Sequence, residues 1–108
     1  MIGDLTDIDF LVLAMRGCKY VIHAAHPNDR FDPGTMPKDS DYVPEAEIQT
    51  RNILESCRKC SVIRLVVTCC MSAIIGNIFK GKNDIVYSEL DFCPISDELS
   101  PYVKSKLI

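Results

Sequence analysis

A tyrosine and a lysine stand four residues apart in the segment PYVKSK, as Tyr102 and Lys106. Residues with this spacing share one face of a helix. An ammonium held beside a phenol stabilises the phenolate, so we expect the pKa of Tyr102 to lie below its usual value of about 10. Such a tyrosine exchanges a proton with an alcohol or a carbonyl near neutral pH. The same spacing is also typical of exposed surface pairs, so the interpretation depends on the rest of the chain.

The elements that precede this pair alternate between helices and strands. Residues 6–17 predict a helix, because Thr6 and Asp9 resemble a capping box and Gly17 is a natural C-terminal stop. Residues 43–59 predict a second helix, with Pro44 in its first turn. Its apolar face carries Ala46, Thr50, Ile53, Leu54 and Cys57. Ser100 and Pro101 then predict the start of a final helix that carries Tyr102 and Lys106.

Two short apolar segments, KYVIHAA and VIRLVVT, predict buried strands, and a long irregular segment follows each of them. Strands that alternate with helices indicate an α/β fold with a parallel sheet. Ligands of such sheets bind beyond the carboxyl ends of the strands. We therefore expect HAAHP, TCCMS and the Tyr102 helix to meet at one edge of the sheet.

Composition limits the range of functions. A chain of 108 residues with 47% hydrophobic residues predicts one domain. A net charge of −3 argues against nucleic acid as a partner. There is no apolar run long enough to span a membrane and no signal-peptide pattern, so we expect a cytoplasmic protein. Its six cysteines are then expected to be reduced.

Five segments, taken in order, carry a resemblance to a known family: GDLTD, GCKYVIHAAHP, TRNILESC, IRLVVTCCMSAI and YVKSK. They resemble the extended short-chain dehydrogenase/reductase family, whose members include NAD-dependent epimerases and dehydratases. The nearest branch is that of 3β-hydroxysteroid dehydrogenases, dihydroflavonol reductases and cinnamoyl-CoA reductases. The resemblance implies a Rossmann-like, doubly wound parallel sheet. It also implies an oxidoreductase that uses NAD or NADP to interconvert a hydroxyl and a carbonyl on a small substrate, such as a steroid, a flavonoid or an aldehyde-type compound.

The resemblance also implies which residues bind the cofactor. Asp4 and Leu5 match a pair that meets the adenine. Ala24 and Ala25 match small residues that let the cofactor lie close to a strand, and His26 replaces a more usual serine or threonine.

The remaining implied site residues lie further along the chain. Thr68 begins the family's TSS run at the end of the second predicted strand. Tyr102 would be the acid–base residue, and Lys106 would tune it and hold the nicotinamide ribose.

One departure from the family concerns the catalytic serine, which aligns with Cys70 because TSS here reads TCC. A thiol is a weaker hydrogen-bond donor than a hydroxyl. Loss of one such donor to a reacting carbonyl typically lowers the rate by about 100-fold or more. Ser72 is an alternative donor, and Cys69 and Cys70 are equally well interpreted as small packing residues at a strand end.

The second departure is the glycine-rich turn that holds the cofactor pyrophosphate, for which these 108 residues contain no G-x-x-G-x-x-G match. We therefore expect residues 1–108 to be the central part of an NAD(P)-binding domain. The glycine-rich βαβ unit and the C-terminal substrate portion would be absent. The chain alone is then expected to be inactive.

Two other classes of function fit parts of the sequence. Joint loss of the glycine turn and the serine is typical of an inactive reductase that serves as an interaction module. Cys57-x-x-Cys60 with Cys69 and Cys70 suggests a metal or redox thiol site, but no second C-x-x-C or nearby histidine pair completes four ligands. His23 lies in an apolar strand, which favours a packed core histidine, so we expect no metal site.

Overall fold

The computed structural model describes residues 1–25, 39–76 and 86–107. Along the chain they form α1 (Ile8–Met15), β1 (Tyr20–His23), α2 (Asp39–Lys59), β2 (Arg64–Val67), α3 (Ser72–Ile75) and α4 (Pro101–Ser105). The alternation of helices and strands predicted from the sequence is confirmed.

The two strands pair in parallel, with Tyr20 opposite Arg64 and His23 opposite Val67. A backbone hydrogen bond from the Thr68 N–H to the His23 carbonyl, at 2.9 Å, continues the pairing past β2. The carboxyl ends of the strands therefore lie side by side, as expected for a small α/β unit. One face of this sheet packs on the core, while Ile22 on the other face is 74% exposed.

The core lies between α1, α2 and the sheet. Its buried residues are Leu11, Met15, Ile53 and Cys57, and Val21 and Leu65 of the two strands pack against them. Burial of side chains of this size stabilises a fold by about 1.5–3 kcal/mol each. The core thus fixes both strands against α2.

Helix α1 begins one residue later than the capping box predicts. Asp7 is the cap, and its carboxylate accepts two backbone N–H groups of the first turn, each at 3.0 Å. The Thr6 hydroxyl instead donates to the Asp4 carboxylate at 2.8 Å. The helix ends as predicted before Gly17, whose φ of +78° is costly for other residues.

Helix α2 is longer than predicted and buries a wider face. It begins at Asp39, so Pro44 lies inside the helix and not in its first turn. Leu54 of the predicted apolar face is 54% exposed, whereas Tyr42, Gln49 and Ser56 are buried. The reason is tertiary, since α2 packs against α1 and also against α4.

The segment after β2 contains an unpredicted helical turn, α3. Helix α4 begins where the sequence predicts it. The Ser100 side chain accepts the Val103 N–H at 3.3 Å, and Pro101 occupies the first turn.

Candidate active site

A cavity of about 130 Å³ lies beside the carboxyl ends of β1 and β2. The strand ends contribute His23, Ala25, Thr68 and Cys69 to its wall, and α2 and α4 close the other sides. Lys106 reaches this wall from α4. Cys70 and Tyr102 are not among the lining residues and lie next to the cavity.

Helix α4 is held against α2 through a buried tyrosine. Tyr42 is fully buried, and its hydroxyl forms a hydrogen bond with the hydroxyl of Ser105. Ser105 in turn donates to the Tyr102 carbonyl at 2.7 Å. Burial, followed by the nearby Tyr102 hydroxyl, raises the pKa of Tyr42 to about 12. Tyr42 and Ser105 therefore set the position of the helix that carries the tyrosine–lysine pair.

Tyr102 lies in α4 and Lys106 is the residue directly after it, and the two side chains lie on the same side. The Lys106 Nζ lies 5.6 Å from the centroid of the Tyr102 ring, which places the cation over the ring. This geometry is a cation–π contact. The sequence spacing thus correctly predicted that the two side chains lie together, and the structure adds that the ammonium lies over the ring.

The expected direction of the Tyr102 pKa shift is wrong for this chain. The pKa of Tyr102 is raised to about 12, first by its hydrogen bond to Cys70, then by burial and by the negative charge of the Cys70 and Cys69 thiolates. A phenol that donates to a sulfur anion gives up its proton less readily, because ionisation would place two negative charges together. Tyr102 is therefore a protonated hydrogen-bond donor at neutral pH.

Cys70 shows the complementary shift. The hydroxyl and the backbone N–H of Ser72, followed by the Tyr102 hydroxyl and the Lys106 charge, lower the pKa of the Cys70 thiol to about 7. The Ser72 hydroxyl is fully buried and has no partner within hydrogen-bond geometry among the described residues.

Burial lowers the pKa values of the two basic side chains at the site, Lys106 and His23. Burial lowers the pKa of Lys106, an effect that the Cys69 and Cys70 thiolates partly offset. Burial and the charge of Lys106 both lower the pKa of His23. We therefore describe His23 as neutral near pH 7, with Lys106 as the nearby positive charge.

Of the remaining residues predicted to bind the cofactor, some lie at the cavity and others do not. The Thr68 hydroxyl donates to the His23 carbonyl at 3.3 Å, at the wall of the cavity. Ala24 is exposed at the end of β1, next to Ala25 in the chain. Asp4 and Leu5 precede α1 and do not line the cavity; Leu5 packs against the core.

The predicted cofactor contact of His26 lies outside the described residues. Sequence reasoning also missed Tyr42 and Ser105, which position α4. Tyr42 closes a polar segment that predicts a loop, so no local pattern marks it as a buried side chain.

The Cys57 and Cys60 pair takes part in packing. Cys57 is buried against Met15 at an Sγ–Sδ distance of 3.7 Å, and burial raises its thiol pKa. The Cys60 thiol donates to the Val12 carbonyl at 3.4 Å. Within residues 1–25, 39–76 and 86–107, no three potential ligands from His, Cys, Asp and Glu come together. In the same part of the chain, no helix combines the length and apolarity needed to cross a bilayer.

The residues around the cavity carry groups that would suit the nicotinamide end of a dinucleotide cofactor. Ala25 leaves space beside the strand end, and Lys106 and the Thr68 hydroxyl can bind ribose hydroxyls. A pyrophosphate is usually held by backbone N–H groups of a glycine-rich turn at a helix N-terminus. The sequence contains no such motif, so the fit is limited to the nicotinamide end.

Two comparisons place the chain among known proteins. The model of the 3-beta hydroxysteroid dehydrogenase/isomerase family matches residues 1–107. The chain is also similar to cinnamoyl-CoA reductase 1 of Oryza sativa subsp. japonica, with 29% identity over 101 residues. That match covers 90% of the chain and 28% of the length of the rice protein.

Proposed function

Because the chain belongs to the 3-beta hydroxysteroid dehydrogenase/isomerase family, we propose that it forms the central part of an NAD(P)-dependent oxidoreductase. Its two strands would be central strands of a doubly wound, Rossmann-like sheet, and the cofactor phosphates would be bound outside these residues. The substrate is proposed to be a small hydroxyl or carbonyl compound such as a steroid, a flavonoid or an aldehyde-type molecule. The observation that supports this most is the position of Tyr102 and Lys106 beside the carboxyl ends of both strands.

In the proposed reaction each residue would have a separate role. The bound nicotinamide would supply or accept the hydride. Tyr102, protonated at neutral pH, would donate a hydrogen bond and then a proton to the substrate oxygen as a carbonyl is reduced. Lys106 and Thr68 would hold the ribose. As the family resemblance implies, Asp4 and Leu5 would meet the adenine, and Ala24 would let the cofactor lie close to the strand.

Cys70 would occupy the position of the family's catalytic serine. As a thiolate it accepts the phenol hydrogen bond and cannot itself donate to a substrate carbonyl. We therefore propose slow turnover for the native cysteine.

A second proposal is that the chain belongs to a catalytically inactive reductase that acts as a binding module. The observation in its favour is the raised pKa of Tyr102, which opposes the ionised form needed to accept a proton from an alcohol. The first proposal remains preferred because reduction requires the protonated phenol.

A chimera separates the two proposals. The matched segment would replace the corresponding 101 residues of the rice cinnamoyl-CoA reductase 1, and oxidation of NADPH with a cinnamoyl thioester would be followed. Turnover that Tyr102→Phe abolishes and Cys70→Ser increases by about 10-fold or more would support the oxidoreductase. If a folded chimera that still binds NADPH shows no turnover even with Cys70→Ser, the inactive module is favoured.

The chain by itself provides a second test. We expect the 108-residue protein to bind NADH or NADPH weakly, because it lacks the phosphate-binding turn. The measurement is a fluorescence titration with either cofactor. A dissociation constant in the micromolar range would contradict the proposal that the cofactor phosphates are bound outside these residues.

A further inference from the structure

The turn that precedes α1 is held by hydrogen bonds between its own residues. The Asp4 carboxylate accepts the N–H and the hydroxyl of Thr6, at 2.9 and 2.8 Å. The Asp4 carbonyl accepts the N–H of Asp7 at 3.1 Å, which closes the turn. The Leu5 side chain packs against the core. Residues 4–7 therefore form one compact unit that is anchored to the core.

Gly3 fixes the way in which the chain enters this turn. A Cβ atom at Gly3 would overlap the ring of Phe10, so the backbone here passes directly against that ring. Phe10 itself packs against the core. Any larger residue at position 3 would therefore displace either the ring or the backbone that leads into the turn.

Asn52 links the turn to α2. Its amide nitrogen donates to the Thr6 carbonyl at 2.9 Å and to the Leu5 carbonyl at 3.3 Å. An amide nitrogen carries two hydrogens, so both donors are used on this turn. Gln49 and Thr50, less than one helical turn before Asn52, line the cavity at the strand ends. Helix α2 therefore holds the turn and forms part of the cavity wall at the same time.

We propose that Asn52 is a positioning residue for the adenine half of the cofactor site. The inference rests on the proposed function, in which Asp4 and Leu5 meet the adenine. A segment that must be ordered when a ligand binds costs part of the binding free energy, whereas a segment that is fixed beforehand does not. Asn52 fixes the turn by holding two of its carbonyls, and no contact between Asn52 and the base is required.

The chemistry of asparagine suits this role. The two carbonyls need hydrogen-bond donors, and a neutral amide supplies them without a charge. A lysine or an arginine in the same place would bring a cation close to the turn and would attract the Asp4 carboxylate away from an adenine amino group. A short amide therefore holds the backbone without competing for the acidic side chain.

A residue that only joins α2 to the chain before α1 would affect the whole site, whereas a residue that positions the turn affects adenine binding alone. The test therefore uses two ligands that each carry one half of the cofactor, adenosine and nicotinamide riboside. Both are titrated into the isotope-labelled 108-residue chain. NMR follows adenosine at the amides of Asp4 and Leu5, and nicotinamide riboside at the amide of Thr68.

Asn52→Leu replaces the amide with an apolar group of similar size. We expect it to weaken adenosine binding by about tenfold, as for the loss of two neutral hydrogen bonds, and to change nicotinamide riboside binding by less than about twofold. The Asp7 amide should exchange faster, which shows that the turn has been released. Arg51→Leu is the matched control, because Arg51 pairs with Glu47 along α2, and it should change neither affinity.

Equal adenosine affinity in the native chain and in Asn52→Leu would overturn the inference and leave the proposed function standing. Equal loss of both ligands would also overturn it, because Asn52 would then be a packing residue. A native chain that is unfolded, or in which adenosine does not shift Asp4 and Leu5, would contradict both the inference and the adenine assignment. If Asn52→Leu does not fold, Asn52→Asp keeps the shape, removes the donors and should give the same loss. Turnover of the chimera tests the proposed function separately.

Discussion

Replacing Cys70 with serine should make the Tyr102 phenol easier to ionise. In the native chain the hydrogen bond to Cys70 is the largest cause that raises the Tyr102 pKa to about 12, and the charge of the Cys70 thiolate adds to it. Serine stays uncharged in this range, so the thiolate charge is lost, and the serine hydroxyl can also donate to the phenolate. We therefore expect the pKa of Tyr102 to fall by about one unit, towards its usual value of about 10.

The measurement is an NMR titration of ring-labelled tyrosine between about pH 7 and pH 11. Tyr102→Phe identifies the Tyr102 signal among the four tyrosines. Cys18→Ser is the matched control, since Cys18 is an exposed cysteine on the loop after α1. In the native chain and the control, the Tyr102 ring carbon should hardly shift up to pH 11, whereas in Cys70→Ser it should be part-way through its transition.

The outcome bears directly on the role of the altered serine position. A Tyr102 signal that titrates identically in Cys70→Ser and in the native chain would show that burial, not the thiol, controls the phenol. In that case the interpretation of the Cys70 and Tyr102 pair as one coupled unit would be wrong. A drop in pKa would identify the cysteine as the residue that keeps this tyrosine protonated.

Three further predictions concern stability. Ile53→Ala should lower the free energy of unfolding by about 2–5 kcal/mol, because Ile53 is only 2% exposed, whereas Leu54→Ala, at an exposed position, should cost under about 1 kcal/mol; urea titrations of both variants measure the contrast. Ser100→Ala should remove the cap of α4 and cost about 1 kcal/mol, seen as faster amide exchange at Val103, and unchanged exchange there would contradict the capping assignment. His23 has a lowered pKa, so the unfolded chain takes up its proton first, and stability should fall as the pH drops below about 6.5; His23→Gln should flatten that loss between pH 7 and pH 5.

Structural features that depend on a few neighbouring residues could be predicted from the sequence. The β-branched residues of β1 and β2 predicted both strands, and Ser100 with Pro101 predicted the start of α4. The parallel pairing followed from the alternation of strands and helices, since such connections admit few topologies.

The cap of α1 and the buried face of α2 depended on contacts that the sequence pattern does not show. Asp7 caps α1 while the Thr6 hydroxyl donates to Asp4, and the pattern of Thr6 and Asp9 does not distinguish this arrangement from a Thr6 cap. The buried side of α2 includes Tyr42 because α4 packs on it, and α4 lies some forty residues further along the chain.

The sequence by itself determined that this chain is an α/β unit of the family, with Tyr102 and Lys106 on one helical face. Those properties depend on short-range periodicity and on motif order. Only the tertiary structure decided that Cys70 meets the Tyr102 hydroxyl and that Lys106 lies over the ring. The sign of a pKa shift depends on which atoms come within a few ångströms, and residues 32 positions apart acquire that proximity only when the chain folds.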